Sequence, residues 1–232
     1  MRLWVLMFAA LAFITAGCDA QQPTEEHVII DWVDFVKLND VQYEASHTSV
    51  ITDPSFVGEK IGDVTFNVDD NISNTRYTIK NGDAAYLEKG TLVYQVNDMP
   101  GYAAVPDEYE ISGYRLYSGG EAGENDMPQH FSDLTAESVK KIEVYMIEGK
   151  PKLVNTLSEE AGVSKFMSLL DSGESGSYTP DTSSGDPDRF ALVFDYGEPI
   201  AYTSTIFYDG VKWYWHEQEM TLLPNDVKQY VQ

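Results

Sequence analysis

RFALVFDYGEPIAYTSTIFYDGVKWYWH, residues 189–216, is the stretch whose pattern decides the fold. Phe190, Leu192, Phe194 and Tyr196 recur at every second position, as do Ile200, Tyr202, Ser204, Ile206 and Tyr208. Trp213 and Trp215 then alternate with Tyr214 and His216. Successive side chains of a strand point to opposite faces, so each run gives one face to a core. Gly197-Glu198-Pro199 and Asp209-Gly210 supply the reversals, the second being a tight hairpin signal. Three antiparallel strands joined by short turns are expected here.

The flanks extend this unit. Upstream, Ile142, Val144 and Met146 share a face of a strand that should end near Gly149-Lys150-Pro151. Glu159 and Glu160 follow, carboxylates suited to the positive end of a helix. Val163, Phe166, Met167 and Leu170 form its apolar stripe. The Gly-, Ser-, Asp- and Pro-rich run 172–188 reads as a loop. Downstream, Pro224 suits the first turn of a closing helix with the stripe Val227, Tyr230 and Val231. Strand, helix, three strands and helix predict a two-layer antiparallel α+β half over 138–232.

Before it, residues 27–118 read as β throughout. Ile30, Trp32, Val33, Phe35, Val36 and Leu38 lead to Asn39-Asp40 and then Val41, Tyr43 and Ala45, a hairpin pattern. Val64–Val68, Tyr77-Thr78-Ile79 and Thr91–Val96 add short extended runs, with turn signals at Asn81-Gly82 and Lys89-Gly90. That spacing predicts a small barrel or sandwich-like half. Residues 119–137, opening with Gly119-Gly120-Glu121-Ala122-Gly123, read as a linker. The fold class expected for the whole is α+β: a β-rich half followed by an α+β half.

The N-terminus carries an address. Arg2 precedes twelve apolar residues, Leu3 to Ile14, and then Thr15-Ala16-Gly17-Cys18. One cation, a short apolar run and small residues are the layout of an export signal over 1–17, and the run is shorter than the roughly 20 residues of a bilayer span. The segment resembles a bacterial lipoprotein signal, with Thr15 where a Leu is customary. Cys18 is the only cysteine, which makes it the expected lipid anchor and leaves no thiol for a disulfide. Residues 18–26, polar and acidic, would be a flexible tether.

Net charge is −23, and loss of the leader with its single cation Arg2 makes it −24. Such a field repels nucleic acid phosphates, so no nucleic-acid partner is expected. It suits a cation, a basic peptide or a basic protein.

No motif for chemistry stands out. Gly173-Glu174-Ser175-Gly176-Ser177 lacks the closing glycine and preceding strand of a nucleophile elbow. His27, His47, His130 and His216 are dispersed, without zinc-ligand spacing, and His216 reads as a partly exposed strand residue. Acidic loops at Asp69-Asp70-Asn71 and 181–188 leave Asp181, Asp186 and Asp188 as calcium candidates, although neither loop follows the ordered EF-hand pattern. A carboxylate pair for glycoside hydrolysis is not identifiable from spacing. No cofactor is expected. The aromatic residues Tyr208, Trp213, Tyr214 and Trp215 are candidate partner-binding positions, since exposed aromatics favour protein or glycan contact.

The leader ending in Cys18, Asp31-Trp32-Val33-Asp34-Phe35-Val36, Gly82-Asp83-Ala84-Ala85-Tyr86-Leu87 with Gly90-Thr91, and Ile206–Trp215 together resemble uncharacterised extracytoplasmic lipoproteins of Gram-positive, spore-forming bacteria. The resemblance implies an address and no activity. The expectation is a membrane-anchored extracytoplasmic binding or interaction module without enzymatic activity, with an envelope hydrolase built on dispersed carboxylates as the alternative.

Overall fold

The structure, a computed structural model of the chain, describes residues 30–120, 127–183 and 185–231. The leader, the tether, Cys18 and His27 lie outside the described residues. In chain order the strands are β1 (Phe35–Leu38), β2 (Val41–Ala45), β3 (Ser49–Ile51), β4 (Val57–Asp63), β5 (Phe66–Asn67), β6 (Asp83–Ala84), β7 (Leu92–Val96), β8 (Tyr102–Pro106) and β9 (Tyr114–Gly119). The second half adds β10 (Lys141–Glu148), β11 (Lys150–Leu157), the helix α1 (Glu160–Asp171), β12 (Glu174–Ser175), β13 (Asp188–Asp195), β14 (Ile200–Tyr208), β15 (Trp213–His216) and β16 (Met220–Leu223). The chain is β-rich, as its alternating pattern predicts, and helix is sparse.

Eight strands form the first sheet in the order β4-β7-β8-β9-β2-β1-β6-β5. At the β1–β2 hairpin Asn39 and Asp40 both hold positive φ (51° and 64°). That pair of angles matches the right-handed twist of the flanking strands. β4 and β5 are the two ends of the strand order, yet only Val64 and Thr65 separate them in sequence. Three peptide units reach about 11 Å at most, so the sheet must curl until its edges meet. Val36, Leu38, Val64, Val93, Val105 and Tyr117 fill the curl.

The second sheet runs β11-β10-β13-β14-β15-β16-β12. Phe190, Leu192 and Phe194 of β13 face Ile142 and Val144 of β10, Tyr202 and Ile206 of β14, and Trp213 and Trp215 of β15. The four stripe residues of α1 cover that face. Asp188–Asp195 and Ile200–Tyr208 pair in register from Asp188↔Tyr208 to Phe194↔Tyr202, as the opening stretch predicts.

Several expectations are corrected. The segment after Pro224 is a six-residue 3-10 helix, Asn225–Tyr230, and Val227, Tyr230 and Val231 are buried as the stripe requires. Tyr77-Thr78-Ile79 is not a strand; Tyr77 and Ile79 pack on the small cluster of Phe35, Val68 and Ala85 without ladder partners. The strand of Ile142, Val144 and Met146 ends at Glu148, as expected, but the residues after it form a further strand that was not expected. Gly149 (φ 80°) permits a tight reversal, and β11 returns antiparallel from Glu148↔Lys150 to Ile142↔Leu157. β11 is an edge strand, which is where a proline lacking its N–H is tolerated. Its lysines and Pro151 hide the alternation that would have announced it.

The halves are joined by β3. Although it belongs to residues 27–118, β3 pairs with β14 through Ile200↔Ile51, Ala201↔Val50 and Tyr202↔Ser49. Ile51 and Ile200 then share a core with Val96, Tyr102, Ala104 and Leu116, while Val50 joins Ala191, Val193 and Ala201 on the other side. Part of the expected linker is also packed. Phe131 lies 5.1 Å from Trp215 and 5.6 Å from Phe194, ring centre to ring centre.

Candidate functional site

Along one edge, β14 has two successive neighbours. β3 pairs residues 200–202 and β15 pairs 206–208, so the middle of β14 is left between them. Glu217, the residue after β15, folds into this fork. Its Oε2 accepts from the Tyr202 hydroxyl at 2.7 Å and from the Phe131 amide at 3.1 Å, and its Oε1 accepts from the Ser204 hydroxyl. One half-buried carboxylate thus ties β14 to the segment that carries Phe131. Burial, then the hydrogen bond to Glu217, pushes the Tyr202 hydroxyl far above its usual range, so it stays a donor.

Above Glu217 runs a furrow. Its central depression, about 350 Å³, is lined by His47, His130, His216 and Glu217 together with Ser204 and Thr205. On one side it continues through His130, Phe131 and Glu217 into a depression of about 220 Å³ bearing Asp171, Glu219 and Trp215. On the other it continues through His47, Thr48 and Gln129 into one of about 240 Å³ bearing Glu44, Tyr102 and Ser118. The furrow therefore follows the seam between the two sheets. The β2–β3 loop supplies His47, the turn before the 3-10 helix Phe131–Asp133 supplies His130, and the end of β15 supplies His216.

The three imidazoles are exposed at the rim. His130 is oriented by its own turn: its ring accepts from the Asp133 amide while Asp133 Oδ2 accepts from the His130 amide at 3.0 Å. The Gln129 and His130 amides, both donating to Asp133 Oδ2 at 3.0 Å, hold the Asp133 carboxyl below its ordinary range, Gln129 contributing first. His216 meets the Tyr214 ring edge-on at 6.1 Å. No Lys or Arg lines any of the three depressions. Histidines 47, 130 and 216 look dispersed in sequence because strand pairing across about 150 positions is what gathers them; only His216-Glu217 could have been noticed beforehand.

The sequence-derived candidates fall elsewhere. Trp213, Tyr214 and Trp215 are buried, at 3%, 4% and 4% exposure, and Tyr208 is half-buried with its ring stacked on Trp213 at 4.7 Å. Trp213 and Trp215 face the α1 side, and Tyr214 is covered on the other face by Phe207 and Tyr178. These rings hold the sheet to its neighbours and offer no exposed platform. Asp181, Asp186 and Asp188 are exposed, and among the described residues no three His, Cys, Asp or Glu side chains converge on a metal position. Asp181 is used locally, its Oδ1 accepting from the Ser183 amide at 2.9 Å. In the other acidic loop, the Asn67 side chain accepts from the Asp70 amide, and Asn71 donates to the Asn67 carbonyl. Ser175 sits in β12, pairing with Thr221 instead of standing on an elbow.

A second polar cluster lies on the first sheet. Arg115 reaches Asp34 at 3.2 Å, Asp107 at 3.1 Å and Glu110 at 3.1 Å, and Tyr117 donates to Asp34 at 3.1 Å. Burial raises the Glu110 carboxyl, with Arg115 opposing and Asp107 adding. The guanidinium fork is spent on three carboxylates, so this cluster ties β9 to the chain entering β1 and is not free for a ligand.

No family model, no curated protein and no solved structure matches the chain.

Proposed function

We propose that this chain is a lipid-anchored extracytoplasmic binding protein of the kind it resembles, held at the membrane through Cys18, and that the seam furrow is where it receives its ligand. The observation that carries the reading is the furrow itself. It is continuous across both halves and lined by imidazole, hydroxyl, amide and carboxylate groups, the few convergent polar groups expected of a binding cleft. Glu217 at its centre has both oxygens engaged in holding the fold, which favours binding over hydrolysis. No helix of the described residues is long and apolar enough to cross a membrane, so the proposed anchor rests on the Cys18 signal. The proposal also reads 138–232 as a two-layer α+β unit and 27–118 as a small barrel. What supports this is the packing of α1 and Asn225–Tyr230 on one face of the second sheet, and the curl of the first.

Two measurements test it. Metabolic labelling with a fatty-acid analogue should mark the protein and be abolished by Cys18→Ala. A photo-crosslinking residue at position 47 or 216 should capture a ligand in intact envelopes, while the same residue at the exposed position Val211 should not. Equal capture at all three positions, or none at the furrow, rejects the furrow as the site.

A further inference from the structure

We infer that the folded body makes a second contact with the membrane: the patch formed by Trp32, Val33 and Tyr86 rests on the lipid surface, and the surface it fits is one whose headgroups carry no net charge. The inference rests on the lipid anchor proposed above and adds the face of the molecule that meets the bilayer.

Chain length is the first support. Eleven residues, 19–29, separate Cys18 from Ile30, where the described body begins. Fully extended they reach about 38 Å, and a flexible chain of that length spans about 18 Å on average. A folded body of about 200 residues is about 40 Å across. A lipid on Cys18 therefore keeps the side bearing Ile30 next to the bilayer and leaves too little chain for the opposite side to reach it. Such a tether also holds that side at high effective concentration against the lipid, so a small contact suffices.

That side carries exposed apolar residues. Val33 is 60% and Tyr86 45% exposed, and the Tyr86 hydroxyl donates to the Trp32 carbonyl at 2.7 Å, which places both beside the half-buried Trp32. The other large exposed apolar residues are spread over four parts of the chain: Leu92 in β7, Tyr109 in the β8–β9 turn, Leu153 in β11 and Val211 in the β14–β15 turn. Trp and Tyr are the side chains that settle at a membrane–water interface, where one end is apolar and the other wet. Trp32 has a further reason to do so. Its indole N–H is buried without a hydrogen-bond partner, and its ring meets Phe35 in a tilted contact at 6.2 Å. Turned toward the interface, the N–H finds lipid ester carbonyls and water as acceptors, which it lacks inside the fold.

Charge selects the kind of lipid. Desolvation and then the carboxylates of Asp69, Asp31 and Asp34 raise the Tyr86 hydroxyl above its usual range, so it approaches the surface neutral. Asp34 is paired with Arg115, but Asp31 and Asp69 enter no ion pair among the described residues. Those two charges repel anionic headgroups and leave neutral ones as the fit.

The test uses the full-length mature protein in phosphatidylcholine vesicles whose acyl chains carry bromine, a quencher confined to the lipid. Cys18 is the only cysteine, so with its sulfur held in the thioether the parent takes up no thiol-reactive dye. Single cysteines placed by Val33→Cys, Tyr86→Cys, Tyr109→Cys and Val211→Cys then carry one environment-sensitive dye each. The dyes at 33 and 86 should shift to the blue and be quenched, and those at 109 and 211 should do neither. Val33→Glu, a change at an exposed position, should remove most of the quenching at 86. Replacing half of the phosphatidylcholine by phosphatidylglycerol should weaken it. Quenching that is equal at all four positions, or that persists at 86 in Val33→Glu, overturns the lipid-facing patch. So does its absence at 33 and 86 while the protein still floats with the vesicles, and in that case the anchor stands. Stronger quenching on phosphatidylglycerol overturns the charge selection. Dye uptake by the parent would show a free Cys18; the anchor reading then falls, and this inference with it.

Discussion

Replacing Asp209 by alanine should loosen the 172–188 loop and lower the stability of the second sheet. Asp209 is 8% exposed at the turn between β14 and β15. Its carboxylate accepts from the Tyr178 hydroxyl at 2.5 Å and from the amides of Asp181, Val211 and Lys212 at 2.8, 2.9 and 2.8 Å. Hydrogen bonds to a charged group contribute about 1.5–3 kcal/mol each. Val211 and Lys212 are exposed and their amides can turn to water, so the net loss comes mainly from the Tyr178 and Asp181 bonds, together about 3 kcal/mol. For a chain of this size that is a fall in Tm of about 6–12 °C. Burial pulls the Asp209 carboxyl upward, but the Tyr178 hydroxyl and the three amides outweigh it and hold it well below the usual carboxylate range. The folded value lies below the unfolded one, so the contribution is present above the ordinary carboxylate range, about pH 4, and is lost as pH falls through the folded value. Thermal unfolding of parent and Asp209→Ala should therefore diverge at pH 7 and converge in acid. Limited proteolysis should cut the variant faster within 172–188. A variant that melts within about 2 °C of the parent at pH 7, with that loop equally protected, would refute the reasoning.

Arg115→Gln leaves Asp34, Asp107 and Glu110 facing one another without their cation, and should cost about 3 kcal/mol at neutral pH in denaturant unfolding. Burial raises the Glu110 carboxyl and Arg115 opposes it, so removing Arg115 raises it further; the loss should be greatest above its folded value and shrink as pH falls through it. Gly119→Ala places a methyl against the Gln42 carbonyl oxygen, a backbone atom of the adjoining strand β2, and should destabilise by about 3 kcal/mol, read from the urea midpoint. Ser112→Gly should do the opposite: Ser112 holds φ 65° and its hydroxyl is buried without a partner, so relief of both should raise stability by about 1 kcal/mol in the same assay.

The parts legible in the sequence are those where local pattern and tertiary context agree. The alternation of Phe190–Trp215, the stripe of α1 and the Asn39-Asp40 turn all take the predicted form. The signals failed where partners lie far away. β3 is three residues long and has no period to detect, and it becomes a strand only because Ile200–Tyr202 present an edge to it. β11 is an exposed edge whose Lys150, Pro151 and Lys152 resemble a loop. The concentration of rings at 208–215 is plain in the sequence, but whether it faces water depends on Tyr178 and α1, which sequence spacing does not reveal. The furrow was illegible for the same reason. Its histidines come from three elements, and Glu217 acquires meaning only when Ser204, Tyr202 and Phe131 surround it.

The stitch made by β3 has a consequence for how the molecule is assembled. Thr52 bonds the Pro199 carbonyl across 147 positions of chain, and closing a loop of that length costs about 3 kcal/mol more than closing a five-residue hairpin. Either half made separately would lack one side of this seam: the first would present β3 unpaired, and the second would present the bare edge of Ile200–Tyr202. Mixed together, two such fragments should reassociate through that seam as complementary pieces. The gap they close is the floor of the furrow, so a ligand seated there would also act as a clamp on folding.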